Sequence, residues 1–194
     1  AKGFEEISPQ RKYHGISTQI IAQIKNVRVP FNVDIGVGDI IVPRAEERTI
    51  NTQLPDFEAP VIKTYSLEST IAEKFDAILQ RFELTGRMKD FYDIYYLSRT
   101  FDFEGAKLQA AIFETLQRRG TPYDRDSFKR VVALGDDEEM QKRWKFFLKT
   151  IKDDTLDFSV VITEIQTFLE PVFDAIVNED EWQNRWDTKV KGWR

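Results

Sequence analysis

Three runs of this chain place charged side chains among apolar ones at spacings that could serve phosphate chemistry. Asp34 lies within FNVDIGVGD (31–39), Lys74 and Arg81 within SLESTIAEKFDAILQR (66–81), and Arg87, Lys89, Asp90 and Asp93 within GRMKDFYDIYYL (86–97). Lysine is a compact point charge suited to triphosphate oxygens. Magnesium prefers carboxylate oxygens together with substrate phosphates, so a strand carboxylate such as Asp34 could complete a magnesium–nucleotide site. Each residue also has a plain reading. Asp34 could be a solvent-facing strand residue, and Lys74 and Arg81 a solvated helix edge. Lys89 and Asp93 stand four apart and could be an intrahelical pair worth only tenths of a kcal/mol.

Other chemistries lack their parts. The chain has one histidine, His14, and no cysteine. That removes thiolate metal sites, disulfides and most histidine acid–base schemes. No GxxxxGK[ST] loop occurs, and the GxG of residues 36–38 falls short of GxGxxG. The 194 residues are 41% hydrophobic and 31% charged, the composition of a folded chain with one sizeable core. A net charge of −5 argues against a wholly basic nucleic-acid-coating surface but allows a local basic groove. No apolar run is long enough to span a bilayer and no signal-peptide pattern opens the sequence, so a cytoplasmic protein without a membrane partner is expected.

The elements that must position these residues follow from periodicity. Residues 16–25 alternate at Thr18, Ile20, Ala22 and Ile24. Residues 27–36 alternate more sharply, with Val27, Val29, Phe31, Val33 and Ile35 on one face, which predicts a half-buried strand. Pro30 argues for an edge position or a bulge, and the two strands should pair about Asn26. Residues 40–60 read as irregular, followed by a short strand at 61–65. Ser66 is an N-cap with Glu68 in the first turn, and Leu67, Ile71, Phe75, Ile78, Leu79 and Phe82 recur at helical spacing. Gly86 ends the connection, and a second helix is expected over 87–99.

Helices should then run over 103–119, from about 124 or 126 to Gly135, over 136–151 and over 158–177, the last kinked or split by Pro171. The polar tail, 178–194, carries Trp182, Trp186 and Trp193 and should pack back on the body. Strands first and helices later give an α+β fold, with a sheet region at 1–65 and a helical region at 66–194 packed on it.

Taken in order, the three runs resemble the AbiEii/AbiGii-type toxin family of nucleotidyltransferases, a branch of the DNA polymerase β-like superfamily. The AEK helix and the RxKDxxD helix at this separation carry the resemblance, and the strand aspartate adds to it. The resemblance implies transfer of a nucleoside monophosphate from a magnesium-bound nucleoside triphosphate to an RNA such as a tRNA end, or to a protein hydroxyl. A cognate antitoxin is the implied protein partner. By the same resemblance Asp34 is the additional strand carboxylate and metal ligand, Lys74 holds nucleotide phosphates, and Asp90 is the essential carboxylate of the motif. Arg81, Arg87, Lys89 and Asp93 are the implied substrate-binding residues. Such transfer needs positioning and charge neutralisation more than a strong nucleophile, so the scarcity of histidine and cysteine is no objection.

One part of the family pattern is missing. The Gly-Gly or Gly-Ser turn followed by DxD on a strand, which supplies the two main metal-binding aspartates, is not found in residues 1–32. The expectation is that this segment has been removed, and that the 194-residue chain binds magnesium–nucleotide weakly and does not turn over. A non-catalytic interaction or RNA-binding module that keeps the fold is one alternative. A helical protein-binding domain whose charges are only ion pairs is another.

Overall fold

Period-two alternation up to residue 36 and the helical period that dominates after residue 66 correspond to different kinds of structure. The chain forms two compact units, residues 1–40 and 41–194, in an α+β fold. The computed structural model describes residues 4–7, 15–36 and 41–194. His14 and the glycine turn at 37–39 lie outside the described residues.

In the first unit, β1 (Phe4–Ile7), β2 (Gly15–Ile24) and β3 (Val27–Gly36) form an antiparallel sheet in the order β1-β2-β3. A two-residue turn at Lys25 and Asn26 joins β2 to β3, with Lys25 at φ 53°, the positive φ that tight hairpins demand. Pro30 sits on β3, which is an edge of the sheet, where a missing N–H breaks no ladder between strands. The register sets Ile16 opposite Ile35, Ile20 opposite Phe31 and Ile24 opposite Val27, so one face is apolar. The expected half-burial of that face is not found. Val27, Val29, Phe31 and Ile35 are all exposed, with Val33 intermediate. The alternation identifies the strand correctly, but two-strand pairing alone covers no face of a sheet.

In the second unit, β4 (Glu46–Thr49) pairs antiparallel with β5 (Val61–Thr64). The EERT run of β4 falls in the stretch expected to be irregular. Helices follow: α1 (Leu67–Arg81), α2 (Met88–Thr100), α3 (Gly105–Arg119), α4 (Ser127–Ala133), α5 (Glu138–Ile151) and α6 (Phe158–Asn178). Their apolar stripes meet in one core. There α1 packs on α2 and α3, and α2 packs on α5 and α6. Phe75 contacts Phe128 and Phe173 at 5.7 Å between ring centroids, and Phe91 meets Phe158 at 5.2 Å.

The tail closes against this core. β6 (Phe103–Glu104), β7 (Arg185–Asp187) and β8 (Gly192–Trp193) form a small antiparallel sheet. Trp186 is fully buried and its indole N–H donates to the Ser98 carbonyl at 2.6 Å. Pro171 does not split α6, which runs unbroken from Phe158 to Asn178. Proline removes a donor from the helical ladder at this point. The carbonyl that loses its donor is that of Thr167; the Trp193 indole donates to the next one, Phe168, at 2.9 Å and ties the tail to this turn.

Candidate functional site

The first helix is fixed at its start. The Ser66 side chain accepts the Ser69 N–H at 3.0 Å, and the Ser69 hydroxyl accepts the Val42 N–H at 2.7 Å. Ile71, Ala72, Phe75, Ile78 and Leu79 are buried, which leaves Lys74 on the flank of the apolar stripe. On α2 the buried residues Met88, Phe91 and Ile94 draw their neighbour Asp90 inward, to 2% exposure. The turn between the helices is tied from α5: one Arg143 nitrogen donates to the carbonyls of Glu83 and Thr85, at 3.0 and 2.9 Å.

These constraints bring two carboxylates of the second motif, each with a cation of its own helix, against the lysine of the first. Lys74 Nζ lies 2.6 Å from Asp93 Oδ2 and 3.4 Å from Asp90 Oδ1. Lys89 donates to the same Asp93 oxygen at 2.6 Å. Arg87 Nε is 2.7 Å from Asp90 Oδ2, yet its N–H is not aligned to donate, so that buried oxygen has an ion-pair partner and no hydrogen bond. A buried carboxylate held only by cations is an electrostatic anchor: it keeps Lys74 and Arg87 side by side at the cost of desolvation. The Lys89–Asp93 pair of the plain reading exists, but Lys74 shares its carboxylate from another helix.

Lys74 and Arg87 line a cleft of about 310 Å³ with Tyr65, Thr70, Glu73, Ala77 and Arg119. Arg119, at the end of α3, is a residue that sequence reasoning missed. It pairs with Glu73, and its Nε lies 3.5 Å from Asp76 Oδ2. Asp76 is fully buried; it also accepts from Thr121 and, at 2.9 Å, from Gln80. Glu73, Asp76 and Gln80 sit at helical spacing beside Lys74, which was a visible signal. Arg119 lies more than forty residues further on, and only the fold brings it there. A larger groove, about 810 Å³ between α3 and the end of α6, has Glu179 and Asp180 in its lining and no cationic side chain, so it offers nothing to a phosphate.

Two more of the expected site residues are Arg81 and Asp34. Arg81, in the last turn of α1, is two helical turns beyond Lys74 on the same side, about 10 Å along the axis. Asp34 belongs to the first unit, on β3, where the Ser17 hydroxyl donates to it at 2.6 Å. Among the described residues no group of three or more His, Cys, Asp or Glu side chains is arranged to hold a metal ion. Asp90 and Asp93 are turned toward cations, so the described donors do not fit a resident magnesium cage. Nor is any helix among the described residues long and apolar enough to cross a membrane.

What the second unit does offer is Lys74 held by two carboxylates of α2, Arg87 held by one of them at the start of the same helix, and Arg119 as a third cation in the cleft lining. Neither a curated protein nor a solved structure matches the chain. A family match does, described as nucleotidyl transferase AbiEii toxin, type IV TA system, and it spans residues 2–185. The chain therefore belongs to the AbiEii family of nucleotidyltransferase-like toxins of type IV toxin–antitoxin systems.

Proposed function

We propose that the cleft beside Lys74 receives the phosphates of a nucleoside triphosphate, and that the transfer is of a nucleoside monophosphate to an RNA or protein acceptor. The observation that supports this most is the contact of Lys74 on α1 with Asp90 and Asp93 on α2, which joins the two motifs at one cleft wall. In the reaction the acceptor oxygen bonds to the α-phosphorus, the bridge to the β-phosphate breaks and pyrophosphate leaves. Lys74 and Arg87 would neutralise charge on the departing phosphates, a role that depends on their being oriented beforehand. Asp90 orients them and Asp93 holds Lys74 between two helices. Arg119 is a further cation on the wall of the same cleft.

Magnesium is the metal this chemistry generally uses. We assign it to the substrate, as the nucleotide's counter-ion, with Asp34 as the protein carboxylate proposed for it. Without the GS…DxD aspartates, the 194-residue chain should bind magnesium–nucleotide weakly and not turn over. A cognate antitoxin and a cytoplasmic site of action complete the reading.

Titration calorimetry with each of the four magnesium–nucleoside triphosphates tests binding, and an α-phosphate-labelled nucleotide incubated with total tRNA tests transfer. Weak binding that Lys74→Ala and Asp90→Asn each reduce about 10-fold, the scale of one lost charged contact, is expected. No binding of any triphosphate, or binding indifferent to both substitutions, would refute the site. Label transfer by this chain would refute its inactivity.

A further inference from the structure

The outer side of α5 takes no part in the cleft. This helix buries Met140, Trp144 and Leu148, which recur every four residues along one side. On the opposite side, at i, i+3, i+4 and i+7, stand Lys142, Lys145, Phe146 and Lys149, all exposed. Phe146 is 72% exposed. In a chain of net charge −5, three lysines around a bare phenyl ring are a local reversal of sign. The face is also rigid. Asp137 caps the helix through the Met140 N–H at 2.8 Å, and the Trp144 indole donates to the Leu156 carbonyl at 2.7 Å.

We propose that this face of α5 binds single-stranded RNA, with the lysines on successive phosphates and Phe146 stacked on an unpaired base. Lys142, Lys145 and Lys149 follow one another at about 4.5 and 6 Å along the helix axis, a row of charges that a flexible phosphate chain can track. A bare ring between lysines suits a splayed base, whereas the bases of a duplex are already stacked on one another. A protein partner would be expected to meet a larger apolar centre, and a membrane surface several apolar residues on one face. Opposing charges border the row: Glu139 is 3.9 Å from Lys142 in an exposed pair that gives way easily, Glu138 is exposed one turn before Lys142, and Asp154 and Asp157 line a pocket with Lys145. Arg143, next to Lys142, grips the carbonyl of Thr85, two residues before Arg87. The helix that carries the row is thus tied, through Arg143, to the turn that joins the two helices of the cleft. Its use as an acceptor track rests on the proposed function; the binding itself does not.

The test is fluorescence anisotropy of an unstructured labelled RNA of about 12 nucleotides with the 194-residue chain over a range of salt. The wild-type chain is expected to show a log–log salt slope of about −2, as for three neutralised phosphates on a single strand. Combining Lys142→Ala, Lys145→Ala and Lys149→Ala should flatten that slope toward zero. Phe146→Ala should weaken binding about 10-fold at every salt concentration without changing the slope, and Phe146→Trp should preserve it. These side chains are exposed, so an unchanged circular dichroism melt is the control for folding. Equal binding by the triple-lysine variant overturns the proposal. So does capture of a polyglutamate peptide in place of the RNA, which would mark an acidic protein as the occupant. RNA binding through this face with no triphosphate binding would sink the transferase reading and leave this one standing. Triphosphate binding at the cleft with RNA binding indifferent to α5 would do the reverse.

Discussion

Replacing Lys74 by methionine keeps the stem of the side chain and removes only its charge, so it isolates what the amine does. The amine lies 3.4 Å from Asp90, whose side chain is 3% exposed, and 2.6 Å from Asp93. At an effective dielectric of about 20 the attraction to Asp90 alone is about 5 kcal/mol before desolvation is set against it. Exposed pairs retain at most about 1 kcal/mol net, and breaking a fully buried pair on one side costs about 3–5 kcal/mol. Lys74 itself is 18% exposed and Arg87 remains beside Asp90, so about 2 kcal/mol of lost stability is expected. That corresponds to a fall of roughly 5 °C in Tm for a chain of this size. All four tryptophans belong to the second unit, so their fluorescence in urea reports its unfolding. Asp90→Asn should cost a similar amount. The double variant should cost less than the sum, by about 1 kcal/mol or more, because the two residues share one interaction. Additive effects, or a Lys74→Met chain as stable as wild type, would refute the coupling on which the site reading stands. Loss of stability with unchanged triphosphate affinity would make Lys74 structural only.

Three more expectations follow from particular contacts. Asp102 accepts the backbone N–H and the hydroxyl of Thr188, which hold its carboxyl below the ordinary value of 3.8. The unfolded chain therefore binds this proton more readily than the folded one. The tail contact should be fully present above the ordinary pKa and be lost as pH falls below it, and Asp102→Asn should remove that dependence in hydrogen exchange at Thr188. Gly105→Ala would set a Cβ 2.5 Å from the Asn184 carbonyl oxygen and from the Trp182 ring, costing about 2–3 kcal/mol and visible as a lower Tm. Asp76→Ala would leave Arg119, Thr121 and Gln80 without their shared carboxylate, a loss of about 3–5 kcal/mol in urea unfolding, and Asp76→Asn should cost clearly less.

Helices α1 and α2 were legible because each buries a stripe that repeats at the helical period, and Ser66 marks the start of the first. The β2–β3 pairing was legible for the same kind of reason, since alternation fixes register. Burial was not, because alternation says which residues share a face and nothing about what lies over it. β4 was missed because EERT has no apolar alternation, and it is a strand only through its ladder to β5. At Pro171 the local rule allowed a kink or a split, and of the two the split is excluded, since α6 runs on through it. In the cleft, Lys74 and the second motif could be named from local sequence, whereas Arg119 needed the packing of α3 on α1. Arg87 and Asp90 stand three apart, a spacing that the sequence shows, but the misalignment of their contact was not legible there.

The closure of the tail also orders events in time. Trp186 fills the core beneath α2 and α6, and the backbones of Arg185 and Arg194 pair with each other at 2.9 and 3.0 Å. A ribosome delivers these residues after every helix of the second unit. Until they emerge, the Ser98 and Phe168 carbonyls lack their indole donors and the site for Trp186 stands empty. The helices can therefore gather during synthesis, but the unit cannot lock until Trp193 is clear of the exit tunnel. A nascent chain stalled before Arg185 should remain protease-sensitive, so a folded cleft comes only at the end of translation of this unit.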